Sequence, residues 1–166
     1  QILLAKLSGQ EDITVGTTIA GRHHADMDSI MGVFINALPL RNAPKGDKTF
    51  NQFLLEVRDN ALEAYAHQEY PFEELVDKLG LSRAISRNPL FDTMLVLQNH
   101  DQADLVRTYA LPDIHFGYYS DLGVQVAKFD LTLTAVEIDN YIHVSLEYCA
   151  DLFREETIHA FRRYYV

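Results

Sequence analysis

The chain has 166 residues, enough for one domain with a buried core, and its 48% hydrophobic and 23% charged content suits a globular unit rather than a disordered one. A formal net charge of −10 with no basic run argues against a nucleic-acid partner, because phosphate recognition needs clustered Lys and Arg. Cys149 is the only cysteine, so no intrachain disulfide is possible, and the apolar runs are too short to span a bilayer. No leader pattern opens the chain, and together these features predict a cytoplasmic protein with no membrane contact. The chain starts at Gln1 and stops at Val166 inside an apparent helix, so both ends read as cut from something longer.

In chain order, residues 13–19 are a β-branched run that predicts a strand ending at Ala20-Gly21. Residues 26–32 read as a turn or short helix leading into the apolar stretch 33–38, and 41–48, with Pro44 and Gly46, read as an exposed loop. Phe50, Phe53, Leu54, Val57, Ala61, Ala64 and Tyr65 recur at helical spacing along one predicted face. Thr49 with Gln52 fits a capping box in front of that helix. A shorter helix is predicted to start at Pro71, bury Phe72, Leu75, Val76 and Leu79, and stop at Gly80.

Residues 93–98 are apolar enough for a strand covered on both faces, and 99–113 read as loop. Phe129, Leu131, Leu133 and Ala135 share one strand face; Ile142, Val144, Leu146 and Tyr148 share another. Asp139-Asn140 suggests a tight hairpin, but that register sets Glu137 against Ile142, so pairing Leu133 with Val144 across a loop of about four residues is preferred. A last helix from about Asp151 turns Ile158, Phe161 and Tyr165 inward. The sum is an α/β fold, a mixed sheet with helices packed on it.

Three stretches are far more ordered in composition than these elements require: 31–41 (MGVFINALPLR), 67–76 (HQEYPFEELV) and 87–92 (RNPLFD). In this order and at about these separations they resemble the signatures IGxFVNTLxLR, HQxYPFExLV and SRNPLFD of the condensation domains of nonribosomal peptide synthetases. The likeness extends to 9–22 (family GQxDIxVGTPxAGR), to 128–133 (KFDLTL) and to 146–153 (family LEYxTDLF). It implies a chloramphenicol-acetyltransferase-like half-domain, with residues 1–166 as the C-terminal subdomain of a condensation domain truncated at both ends. In that family two such halves form a V around a tunnel. Carrier proteins deliver phosphopantetheine-tethered substrates from opposite sides, and the acceptor amine attacks the donor thioester to extend a peptide by one residue. The implied partners are the N-terminal half of the same domain, peptidyl carrier domains and a downstream adenylation domain, with no cofactor bound directly and products in antibiotic or other secondary-metabolite biosynthesis.

The segment 23–29 satisfies HHxxxD, with Ser29 where the family's active loop has Gly. A catalytic reading makes His24 a general base and Asp28 its neighbour, since a neutral imidazole suits that work near pH 7. The preferred reading is non-catalytic: only 22 residues precede His23, and Gly21-Arg22 with Gly32 aligns the segment with the family's GRxHxDxExxxG linker. By that resemblance the general base belongs to the other half, and this chain is inactive alone. Asn36, matching the family's Asn in FVNT, either bonds substrate at the tunnel wall or satisfies loose backbone at a strand end. Ala37 departs from the family's Thr. Gly32, Phe34 and Arg41 complete that motif's tunnel-side candidates.

His67 and Gln68 close the long helix, where a histidine is expected to meet the last carbonyls rather than to do chemistry. Tyr70, Pro71 and Phe72 read as the packing knot between two helices. Asn88 before Pro89 is held extended and forces a sharp approach to Phe91. Arg87 is expected to pair with a carboxylate, the alternative being a carrier phosphate. Cys149 follows an apolar strand and defaults to a small buried side chain; the histidines show no zinc spacing, and there is no glycine-rich phosphate loop. Rival readings are an epimerisation domain, a free-standing acyltransferase using His23-His24, and a non-catalytic carrier-binding module.

Overall fold

The computed structural model describes residues 1–22, 24–81, 87–98, 126–138 and 141–165. The elements run α1 (Ile2–Ser8), β1 (Ile13–Ile19), a 3-10 turn (Ala25–Met27), β2 (Asn36–Asn42), α2 (Phe50–Ala66), α3 (Phe72–Lys78), β3 (Thr93–Gln98), β4 (Leu131–Ile138), β5 (Tyr141–Tyr148) and α4 (Glu155–Tyr165). The strands form one mixed sheet in the order β2-β1-β3-β4-β5. Its outer pairs, β1/β2 and β4/β5, are antiparallel, and its inner pairs, β1/β3 and β3/β4, are parallel. Helices α2 and α3 pack against β2, so the architecture is the expected α/β sheet with helices on it.

The core comprises Ile13 and Val15 of β1, Leu38 of β2, Phe53 of α2, Val76 of α3, Met94 of β3, Leu131 and Ala135 of β4, and Ile158 of α4, with Phe91 just before β3. The capping box is present as expected: the Gln52 amide N–H donates to Thr49 Oγ1 at 3.3 Å, and the Thr49 amide N–H donates to Gln52 Oε1 at 2.9 Å. These bonds satisfy two backbone donors that a helix start otherwise leaves free.

Several expectations are corrected. The apolar stretch 33–38 is strand only from Asn36, and that strand runs on through Arg41 and Asn42, which are strand and not loop. Its internal Pro39 is tolerated because β2 is an edge strand, where a missing N–H breaks no ladder. The inward stripe of α2 is narrower than expected: Phe53 is buried and Val57, Ala61 and Ala64 are half-buried, while Phe50, Leu54 and Tyr65 are exposed. Leu54 and Tyr65 each lie one residue, about 100°, past the axis set by Phe53 and Ala64. Pro71 is the N-cap of α3, with ψ 136°, rather than its first helical residue, and Leu79 is exposed. Gly80 ends the helix at φ +64°, as its lack of a Cβ allows.

Strand β3 lies between two parallel neighbours, which accounts for its apolar sequence, but the described residues do not cover both its faces: Leu95 is 38% and Leu97 61% exposed. The β4–β5 ladder pairs Leu133 with Leu146 and Ile138 with Tyr141, leaving only residues 139 and 140 between the strands. The preferred four-residue loop is therefore wrong. The two registers differ by two residues, so both keep Leu133, Ala135, Val144 and Leu146 on one face, and the hydrophobic pattern cannot separate them. The tight register wins a longer ladder and leaves the mismatched Glu137–Ile142 pair at its end. Helix α4 starts at Glu155, after a turn in which the N–H groups of Leu152 and Phe153 both donate to the Cys149 carbonyl, and Tyr165 is exposed. Helix α1 was not anticipated; it buries no residue and ends on Gly9 at φ +71°. The loop expected over 99–113 lies outside the described residues.

Candidate functional site

Asn36 is the first residue of β2, paired with Ile19 of β1, and its side-chain amide meets the connection between α2 and α3. Its Nδ2 donates to the carbonyls of Gln68 at 2.9 Å and Tyr70 at 2.8 Å, while its Oδ1 accepts from the N–H groups of Ala37 at 2.9 Å and Phe72 at 3.3 Å. One neutral side chain thus meets four backbone groups, three of them more than 30 residues away. Of the two readings left open for Asn36, backbone satisfaction is the one its hydrogen bonds serve, at the helix corner as well as at its own strand end.

Phe72 carries the connection onward. Its ring lies 5.6 Å from that of Phe91, which in turn stacks on Phe129 at 5.7 Å and an interplanar angle of 29°. Phe91 is held flat against β1: a Cβ on Gly16 would sit 2.1 Å from its Cε2 atom. Asn36, Gln68, Tyr70, Pro71, Phe72 and Phe91 therefore form one knot, joined by Gly16 and Phe129. Sequence reasoning missed Gly16, though a glycine inside an otherwise β-branched strand signals close approach of another group.

Beside the knot, Arg87, Asn88, Pro89, Asp92, Lys128, Phe129 and Asp130 line an open polar cleft of about 330 Å³. The Arg87 guanidinium is engaged by the Asp92 carboxylate through Nη2 and, at 3.2 and 3.3 Å, through Nε. That pairing raises the Arg87 pKa and is the carboxylate partnership expected of it. Asn88 Oδ1 accepts from the Leu90 N–H at 3.4 Å, tightening the turn around Pro89. Burial, and then the nearby Asp92 charge, push the Asp130 carboxyl above its ordinary pKa, partly offset by Arg87.

The remaining candidates lie apart. Arg41 grips Asp12 across the β1–β2 edge, with Nε 2.9 Å from Oδ1 and Nη2 2.6 Å from Oδ2; this hydrogen-bonded pairing lowers the Asp12 pKa and raises that of Arg41. Phe34 lies under the Arg22 guanidinium at 4.5 Å, and Arg22 also donates to the carbonyls of Met27 and, at 3.4 Å, Gly32. His67 closes α2 through its backbone N–H to the Ala64 carbonyl; its exposed side chain has no hydrogen-bond partner among the described residues, contrary to the expected contact with the last carbonyls. Lys78 sits 5.8 Å over the Tyr70 ring.

His24 caps the 3-10 turn, accepting at Nδ1 from the Asp26 N–H at 3.3 Å, with its side chain 72% exposed. Asp28 is likewise exposed at the far end of that turn, and His23 lies outside the described residues. Cys149 is half-buried. A further network went unread: buried Asn42 accepts from Asn60 at 2.7 Å and donates to Gln1 Oε1 at 3.1 Å, tying β2 to α2. Among the described residues no three His, Cys, Asp or Glu side chains are grouped to hold a metal ion, and no helix is long and apolar enough to cross a membrane.

A five-stranded mixed sheet whose signature residues interlock in this way defines a condensation-domain fold. The family model for the condensation domain matches residues 1–166, and the chain belongs to that family. It is 52% identical over 155 residues to a plipastatin synthase of Bacillus subtilis, covering 93% of this chain and 4% of that protein. It is 50% identical over 165 residues to tyrocidine synthase 3 of Brevibacillus parabrevis, covering 99% of this chain and 2% of that protein. The solved condensation domain of the monacolin K polyketide synthase MokA shares the fold at a TM-score of 0.76 and 21% identity, across 99% of this chain and 37% of that one. The chain thus spans only a few per cent of the length of its curated relatives.

Proposed function

We propose that residues 1–166 are the C-terminal subdomain of a nonribosomal peptide synthetase condensation domain, working inside a larger modular protein. The whole domain forms an amide between two carrier-bound thioesters. The acceptor's amine nitrogen bonds to the donor's thioester carbon, the carbon–sulfur bond breaks, and the amine proton passes by way of a general base to the departing phosphopantetheine thiolate. This subdomain supplies tunnel wall and acceptor-side carrier docking, and the base belongs to the other half. Phosphopantetheine arrives on carrier domains as part of the substrates, and an adenylation domain follows downstream.

The observation that carries this reading is the knot around Asn36 and Phe91. Its Asn36, Phe72 and Phe91 side chains are occupied in joining one another's elements and the Gln68 and Tyr70 backbone, so their work is to hold a surface in shape. The two residues of the catalytic reading, His24 and Asp28, sit on an exposed turn with only local contacts. The test is peptide-bond formation by the intact synthetase carrying this segment, with donor and acceptor carriers loaded. His24→Ala is expected to retain a rate within a few-fold of the parent. A loss of several orders of magnitude would assign His24 the base and restore the free-standing acyltransferase reading.

A further inference from the structure

The two edges of the sheet are protected unequally. β2 carries Pro39, which has no N–H to offer a neighbouring strand, and the exposed, charged Arg41; both features keep an edge from pairing with another chain. β5 is the other edge and has neither device, since residues 141–148 contain no proline, glycine, lysine or arginine. Among the described residues no strand lies on its outer side, and Tyr141 is 73%, Ile142 68% and Val144 46% exposed.

β5 is also complementary to itself. A two-fold axis perpendicular to the sheet at Ser145 sets it antiparallel to a second copy, with each face of the sheet continued. On one face Ile142 then lies opposite Tyr148 of the second copy and Val144 opposite Leu146, extending the apolar row that Leu133 and Leu146 form across the β4–β5 ladder. On the other face the exposed His143 and Glu147 lie opposite one another, twice by symmetry. A neutral or a protonated imidazole can donate to that carboxylate, and opposed pairs of this kind stabilise a ladder. Moving the axis one residue either way keeps the faces but sets His143 against Ser145 or Cys149, and Glu147 against Tyr141 or Ser145. Charge and apolar pattern therefore agree on one register. The net charge of −10 repels a second copy at long range, but salt screens it beyond about 8 Å, and β5 itself brings only one carboxylate to the contact.

We infer that β5 is a self-pairing edge, through which two copies of the protein join their sheets about Ser145. This interface is independent of the function proposed above.

The test is copper–phenanthroline oxidation of the intact synthetase carrying single cysteine substitutions in β5, with the joined peptides identified by mass spectrometry. Ser145→Cys puts its thiol on the axis, at the Cα separation of about 5 Å that a disulfide spans. In Glu147→Cys the two thiols are four residues apart along the ladder, about 13 Å, too far to join. Ser145→Cys is expected to form its 145–145 disulfide at least about tenfold faster than Glu147→Cys forms a 147–147 one. A mixture of His143→Cys and Glu147→Cys proteins is expected to join at the faster rate. Equal rates for Ser145→Cys and Glu147→Cys, or no covalent dimer from Ser145→Cys at any protein concentration, overturns the inference. A second measurement needs no cysteine. His143→Glu sets carboxylates against each other at both symmetric contacts and is expected to weaken the dimer at least about fivefold in sedimentation, while His143→Glu with Glu147→His restores it. A double variant as weak as the single one overturns the register and with it the self-pairing.

Discussion

Asn36 and Arg41 lie five residues apart on one edge strand and belong to the same family signature, yet the structure treats them oppositely. Asn36 is neutral, partly buried and bonded to four backbone groups, most of them on a distant connection. Arg41 is charged and exposed, and it grips a single carboxylate on the neighbouring strand. An exposed ion pair gains little, because water and salt already satisfy both partners. An amide that serves four backbone groups at once, three of its bonds partly buried, is less readily replaced by solvent. A signature therefore mixes residues of very unequal structural weight, and the larger weight falls on the uncharged ones.

Truncating the centre of the knot tests this most severely. Phe91 is 4% exposed and meets Phe72, Phe129 and Gly16 at once, so Phe91→Ala leaves a cavity that three separate elements cannot close together. A destabilisation of about 3–5 kcal/mol is expected, read as a shift of the urea unfolding midpoint. A shift no larger than that of a surface substitution would remove the knot from the centre of the fold. Asn36→Asp comes next. It deletes the two donors and sets a carboxylate against the Gln68 and Tyr70 carbonyls, for an expected loss of about 1–3 kcal/mol. Asn36→Ala leaves the same carbonyls unpaired without the repulsion and is expected to cost less, so reversal of that order would show that the amide's donors are not what matters.

The elements were legible where one local rule decided them. The β-branched run of β1, the Thr49–Gln52 capping box and the Gly80 stop each follow from a few adjacent residues. What escaped depended on partners far along the chain. The β4–β5 register could not be chosen by a pattern that repeats every two residues. Leu95 and Leu97 looked buried because an apolar strand between parallel neighbours implies two covers, and the described helices do not provide both. The candidate residues were found by likeness to a family, and the sequence could nominate Asn36 without revealing that Gln68 and Tyr70 receive its hydrogens. The Asn42–Asn60–Gln1 network had no signal, since isolated amides at these spacings occur on any surface.

The polar cleft offers the smallest effect and a definite sign. The Asp130 carboxyl is half-buried and held above its ordinary pKa, first by loss of solvent and then by the Asp92 charge, so the folded state disfavours its ionised form. For an acid raised on folding, the favourable contribution is complete below the unfolded pKa and is lost as pH rises through the folded one. At neutral pH the ionised Asp130 is therefore a net burden on the fold. Asp130→Asn keeps the shape and removes the charge, and is expected to raise the thermal midpoint modestly at pH 7. That gain should disappear as pH falls below the ordinary aspartate range, where the parent side chain is neutral too. A variant less stable than the parent at pH 7 would mean that the attraction of Arg87 outweighs burial at this site, and that the cleft, like the Arg41 edge, is held chiefly by its charges.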